Sequence, residues 1–213
     1  MPFDLIVVDL DNTLYAADCG VFANMDKRMT AYVSRELGVD ESRANELRID
    51  YWRRYGTTLR GLILHHGMEP EGFLHEVHDI PVHDMLKPDA ALGAALANLP
   101  GRKVIHTNGT REHAERVLDA LGIAQYFSKI YDIRFNGYMP KPCSTTLGFL
   151  LAAEGLKAAS TLVIDDMEDN LAAARAVGAK TALVSSELAH ADWDFHAASF
   201  TELCRMLVQK DAQ

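Results

Sequence analysis

Four runs along the chain, Phe3–Asp9, Lys103–Thr107, Thr161–Asp165 and Lys180–Val184, are almost continuously apolar rather than alternating. A strand with one wet face alternates. A short unbroken apolar run fits a strand buried on both faces, as in a parallel sheet covered by helices. Ile130–Ile133 is a weaker strand signal of the same kind. Between these runs the period lengthens. Ala114, Val117, Leu118 and Leu121 fall at i, i+3, i+4 and i+7, and Gly122 follows as a stop; Leu171, Ala174 and Val177 do the same before Gly178. Strands alternating with helices in this way predict an α/β fold, a doubly wound parallel sheet.

Residues 16–85 follow another rule. Phe22, Met25, Met29 and Val33 form one helical stripe that Gly38 ends, and Asp40 can cap a second helix running to about Tyr55. Leu59–His66 and Pro70–His78 read as two shorter helices, and no strand is evident. The pattern predicts a helical subdomain, 16–85, inserted into an α/β body of residues 1–15 and 86–213. Pro81 and Pro88 punctuate the return to that body, and the chain carries no internal repeat or low-complexity segment.

The 213 residues suffice for a large core. A net charge of −9 argues against a nucleic-acid polymer as partner. No apolar run approaches membrane-spanning length. Met1-Pro2-Phe3 leads into the first strand with no basic region or signal-peptide core, and the three cysteines, Cys19, Cys143 and Cys204, make no disulfide framework. A cytoplasmic protein is the expectation; the oligomeric state is left open.

Four polar segments stand just after expected strands, where open parallel sheets bind ligands. Asp9 and Asp11, two positions apart on an extended chain, point to one side, where their carboxylates repel. Thr107-Asn108-Gly109 offers a hydroxyl and main-chain N–H groups to an anion, although Thr and Asn are also ordinary turn residues. Lys141 stands between Pro140 and Pro142, which restrict the backbone that carries its ammonium; taken alone it reads as a solvated loop lysine. Asp165-Asp166 adds hard oxygen donors suited to Mg²⁺.

In this order the four segments resemble the haloacid dehalogenase superfamily. Its Asp-x-Asp-x-Thr signature is met by Asp9, Asp11 and Thr13, its Ser/Thr element by Thr107, its Lys by Lys141 and its acidic element by Asp165 and Asp166. The resemblance covers essentially the whole chain, and implies that the helical insertion is a cap closing over the substrate. Tyr55-Gly56-Thr57-Thr58-Leu59-Arg60-Gly61-Leu62, His83–Asp89, the segment Asp9–Tyr15 and the spacing from Asp165-Asp166 to Asn170 resemble the pyrimidine 5′-nucleotidase branch.

The resemblance implies two-step phosphoryl transfer. Asp9 would be the nucleophile and Asp11 the acid and base. Lys141, Thr107 and the Asn108 N–H would hold the phosphoryl oxygens. Mg²⁺ would be held by Asp9, Asp166 and the Asp11 main-chain carbonyl, with Asp165 acting through water or on the metal's surroundings. Asn170 would position Lys141, or stand as an N-cap or first-turn residue of the following helix. Tyr55 and Arg60 are the candidates for contacting the leaving group, with bracing of the insertion as the plain alternative. The expected substrate is a small-molecule phosphate ester, a pyrimidine nucleoside 5′-monophosphate. Alternatives are a broad sugar-phosphate or phosphoglycolate phosphatase, a phosphomutase, and a non-enzymatic phosphometabolite-binding regulator.

Other residues read more plainly. His75, His78 and His83 lack a nearby Cys, and Pro81 interrupts the path between them, so surface or satisfied histidines are expected rather than zinc ligands. His65 and His66 read the same way, although either could face a ligand. Cys19 reads as a small semi-buried residue and Met25 and Met29 as packing; Tyr51 and Trp52 read as packing too, with stacking on a base as the alternative.

Overall fold

The computed structural model describes residues 3–211; the Met1-Pro2 lead-in read from the sequence lies outside the described residues. The first strand, β1 (Leu5–Val8), has no residue more than 1% exposed. The helical insertion follows, with α1 (Val21–Leu37), α2 (Glu41–Tyr55), α3 (Thr58–His66), α4 (Pro70–His78) and the single turn α5 (Val82–Met85). The body then continues through α6 (Ala90–Asn98), β2 (Arg102–His106), α7 (Arg111–Leu121), β3 (Lys129–Tyr131), α8 (Ser144–Glu154), β4 (Thr161–Asp165), α9 (Glu168–Ala176), β5 (Lys180–Val184), β6 (Phe195–Ala197) and α10 (Phe200–Asp211).

The six strands form one parallel sheet in the order β3-β2-β1-β4-β5-β6. Alternate residues of each strand enter different cores, as the two-residue period of a strand requires. Leu5, Val7, Val104, Val163 and Leu183 pack with Leu147 and Leu150 of α8 and Leu171 and Ala174 of α9. Ile6, Val8, Ile105, Leu162 and Ile164 face the other way, with Leu92 and Leu96 of α6, Val117 and Leu121 of α7, and Leu203 of α10. Helices on both faces explain why the strand runs are continuously apolar.

The helical insertion shares this second core. Val21, Met25, Tyr32 and Val33 of α1 join it with Leu59, Leu62, Phe73, Leu74 and Val77. The stripe differs from the expected one at its start: Phe22 is 37% exposed, and its neighbour Val21 is fully buried instead. A helix beginning at Val21 after the left-handed Gly20 sets that phase. Asp40 caps α2 as expected, its carboxylate accepting from the Arg43 N–H at 2.9 Å. Gly61 lets α2 and α3 touch: a methyl group there would lie 2.2 Å from Cγ of Tyr51, so only a side-chain-free residue fits beneath that ring.

Candidate active site

Sheet register brings three of the four segments together, and the loop that carries Lys141 reaches them from beyond β3. Val8 is level with Ile105 on one side and Ile164 on the other, so the residues leaving β1 meet the ends of β2 and β4. The Asp9 N–H donates to the Ile164 carbonyl at 2.9 Å and extends that ladder one step. In this strand order, the chain reverses its direction of progress across the sheet between β1 and β4, the usual position of a ligand crevice. Asn12 turns the chain out of β1 in the left-handed region, φ 61°, which Asn tolerates better than most residues.

Asp9, Lys141 and Asp165 form a buried ion cluster. The Lys141 ammonium donates to Asp9 Oδ1 at 2.7 Å and to Asp165 Oδ2 at 2.9 Å, and all three residues are at most 8% exposed. Thr13 Oγ1 donates to Asp9 Oδ2 at 3.0 Å. Asp165 Oδ1 accepts from the Met167 N–H and from Asn170 Nδ2. Asn170 therefore reaches Lys141 only through Asp165, and it lies in the first turn of α9, one of its two plain expected places, with Met167 as the cap residue.

Carboxylate oxygens of Asp9, Asp165 and Asp166 lie within 4.8 Å of one another, the one such group of three among the described residues. Three carboxylates against one ammonium leave excess negative charge in a poorly hydrated place. Burial, reinforced by Asp165 and Asp11 and opposed by Lys141, pushes the Asp9 carboxyl up to about 7. Burial and the charges of Asp9 and Asp165 push Asp166 to about 8. Burial alone would lower the Lys141 ammonium, but Asp165 and Asp9 outweigh it and raise it. The all-oxygen donor set and the uncompensated charge fit a hard divalent cation such as Mg²⁺. The Asp11 side chain is not in this group, which leaves only its main-chain carbonyl for the expected metal role.

Asp11 is held elsewhere. Its Oδ1 lies 2.8 Å from His113 Nε2 and accepts from the Tyr15 hydroxyl at 2.5 Å. Burial pushes this carboxyl up, but His113 and Tyr15 win and hold it below the usual carboxylate range. Neither partner stood among the expected site residues. His113 had a signal in the sequence: it precedes Val117 by four residues, on the apolar face of α7.

Thr107 Oγ1 accepts from the Gly109 N–H at 2.9 Å, so its own proton remains to be donated. The Asn108 side chain grips the lysine loop from both sides, Oδ1 accepting from the Lys141 N–H at 2.8 Å and Nδ2 donating to the Lys141 carbonyl at 3.1 Å. The sequence carries no signal for that clamp. The turn between α2 and α3 rests on the same loop: a methyl group on Gly56 would lie 2.7 Å from the Lys141 carbonyl oxygen.

Tyr55 and Arg60 flank this turn. Both are half-buried; the Tyr55 hydroxyl pairs with His65 Nε2 at 2.7 Å, and the Arg60 guanidinium has no ion-pair or hydrogen-bond partner among the described residues. Tyr51 pairs with His66 in the same cluster. The histidines do not assemble a zinc site: His78 is buried with Nδ1 on the Leu74 carbonyl, while His83 lies near Asp119. Cys19, Cys143 and Cys204 are unpaired, and among the described residues no helix is long and apolar enough to cross a membrane.

The chain is 30% identical over 185 residues to phosphate metabolism protein 8 of Saccharomyces cerevisiae, an alignment covering 80% of this chain. It spans 58% of that relative's length. Among solved structures, the magnesium-bound HAD-hydrolase YfnB of Bacillus subtilis superposes with a TM-score of 0.66 at 14% identity, covering 97% of this chain and 99% of that one. A HAD phosphatase from Thermococcus onnurineus gives 0.66 at 15%, covering 97% and 98%. At such identities the structural likeness carries the fold alone. The sequence carries the rest: a model of haloacid dehalogenase-like hydrolases matches residues 3–178, and the chain belongs to that family.

Proposed function

We propose that the chain is a Mg²⁺-dependent phosphatase that hydrolyses a small-molecule phosphomonoester, a pyrimidine nucleoside 5′-monophosphate. The observation that carries this reading is the pair of carboxylates with separate anchorage. Asp9 is held by Lys141 and Thr13, Asp11 by His113 and Tyr15. Dehalogenases of the family use the nucleophile without such a second acid; an ester whose leaving oxygen needs a proton requires both.

Asp9 attacks phosphorus and forms an acyl-phosphate as the ester P–O bond breaks; Asp11, ionised at rest because His113 and Tyr15 hold its carboxyl low, takes up a proton from the bound monoanionic ester and passes it to the leaving oxygen. Water then attacks phosphorus, gives a proton back to Asp11 and releases phosphate with the Asp9 carboxylate restored. Lys141, the Thr107 hydroxyl and the Asn108 N–H hold the phosphoryl oxygens through both steps. Asp9, Asp166 and the Asp11 carbonyl would hold Mg²⁺, with Asp165 behind them; the ion supplies positive charge that offsets repulsion between carboxylate and phosphate. Residues 16–85 act as the cap on a body of residues 1–15 and 86–213. Tyr55 and Arg60 meet the nucleoside, a role supported by the Arg60 guanidinium, unpartnered among the described residues, and by the seating of Gly56 on the Lys141 loop. The unpaired cysteines support a reducing, cytoplasmic setting.

The test is turnover of UMP, CMP, purine nucleotides, sugar phosphates and phosphoglycolate, each with Mg²⁺ and with chelator. UMP and CMP should lead, activity should vanish in chelator, and Asp9→Asn should abolish it while the protein still melts cooperatively. Activity surviving in metal-free buffer or in Asp9→Asn would sink the mechanism. A preference for sugar phosphates would leave the chemistry and move the substrate.

A further inference from the structure

Asp11 is gripped on one side only. Helix α7 starts directly after the Thr107-Asn108-Gly109 turn, and Thr110 pins its first turn by accepting from the His113 N–H at 3.2 Å. This brings a fully buried imidazole to a carboxylate 102 residues earlier in the chain. A carboxylate only accepts, so Nε2 carries the proton that His113 donates to Oδ1. Tyr15, buried as well, donates to the same oxygen. Among the described residues, Oδ2 has no donor.

Two donors on one oxygen draw the negative charge there. A proton added to Asp11 then belongs on Oδ2, the oxygen free to meet a substrate. The surroundings keep His113 in this role. Its Nδ1 is buried without a partner, and the ring of His78, from the helical insertion, packs against it with centroids 4.8 Å apart. The His78 Nδ1–H is itself taken by the Leu74 carbonyl at 2.8 Å. A methyl group on Gly109 would lie 3.3 Å from both His78 Nε2 and the His113 ring, so the insertion walls in the imidazole beside the Thr107 loop.

We propose that His113 is the positioning residue of Asp11: with Tyr15 it fixes Oδ1, so that Oδ2 alone exchanges the proton with the leaving oxygen. This rests on the reading of Asp11 as acid and base. It makes a demand that bracing of the fold does not. Loss of the grip should matter when the leaving group needs a proton and should hardly matter when it does not.

The measurement is kcat/KM, which reports only the steps up to transfer onto Asp9, for an alkyl ester such as UMP and for p-nitrophenyl phosphate, whose phenolate leaves unaided. His113→Leu should lower the first by about 10- to 100-fold and the second by less than about 3-fold. His113→Gln, which returns an N–H near the Nε2 position, should recover most of the loss. Tyr15→Phe should show the same selectivity at smaller size, and it carries the test if His113→Leu does not fold. Equal losses on the two esters, or no loss, overturn the proposal. Asp11→Asn separates the two levels: if it too is unselective, the acid–base reading fails; if it is selective while the His113 and Tyr15 variants are not, only the positioning role fails.

Discussion

Raising the pH of metal-free protein should destabilise it, and Mg²⁺ should remove that slope. The cause is the carboxylate cluster. Asp9 and Asp166 have ordinary values of 3.8 in the unfolded chain and are pushed up to about 7 and about 8 in the fold. A group raised on folding contributes stability that is fully present below its unfolded value and is lost as pH climbs through its folded one. Two histidines work in the opposite sense: burial lowers His78 to about 4 and, with Lys141, His106 to about 3, so their contribution grows with pH up to about 6.5 and is flat above. The clean window therefore runs from about pH 6.5 to about 8.5. Each tenfold fall in proton concentration costs about 1.4 kcal/mol for every carboxyl that stays protonated in the fold and ionised in the unfolded chain. Across the window the two acids together therefore lose about 3 kcal/mol. For a chain of this length that is about 6 °C in melting temperature. The assay is a thermal melt in chelator and in millimolar Mg²⁺ at several pH values. The chelated protein should lose stability across the window, the Mg²⁺-loaded protein should stay level, and the gap should widen with pH. Asp166→Asn should flatten the chelated curve. A chelated protein whose stability is flat or rising between these pH values, or an unchanged slope in Asp166→Asn, would refute the charge argument.

Lys141→Met strips the ammonium from two buried carboxylates and should cost about 3 kcal/mol or more in a chelated melt near pH 8, with turnover lost. Gly56→Ala meets both a left-handed backbone, φ 84°, and the Lys141 carbonyl oxygen at 2.7 Å. It should cost about 2 kcal/mol and lower kcat on every ester, which a melt and a substrate panel together detect. Arg60→Ala and Tyr55→Phe should lower kcat/KM for UMP and CMP about tenfold more than for p-nitrophenyl phosphate; equal losses would assign both residues to bracing the insertion.

The sheet and the carboxylate centre were legible because one feature reports both. A run buried on two faces marks a strand, and its last residue marks the edge where ligands sit, so Asp9, Thr107 and Asp165 could be grouped before any contact was seen. Elements without that contrast were hidden. Helices α6 and α8 are apolar around most of their surface, so no stripe stands out, and β6 is a three-residue edge strand with His196 exposed. Periodicity also states that a residue is buried without stating against what. Asn108 was expected to serve through its N–H; that its side chain also holds the N–H and carbonyl of Lys141 has no counterpart in the pattern. His113 could have been marked as a polar residue on an apolar helix face, but its partner lies a hundred residues away and is chosen by the register of β1 against β2. The seat of the insertion is further still from any pattern. It depends on Gly56 lying against the Lys141 carbonyl and Gly61 beneath the Tyr51 ring, two approaches of bare backbone that hydropathy does not encode. The carboxylate cluster follows from where strands end, whereas the seat of the insertion follows from where side chains are missing. For that reason substitutions at these two glycines should disturb turnover of every ester, while substitutions at Arg60 should discriminate between esters.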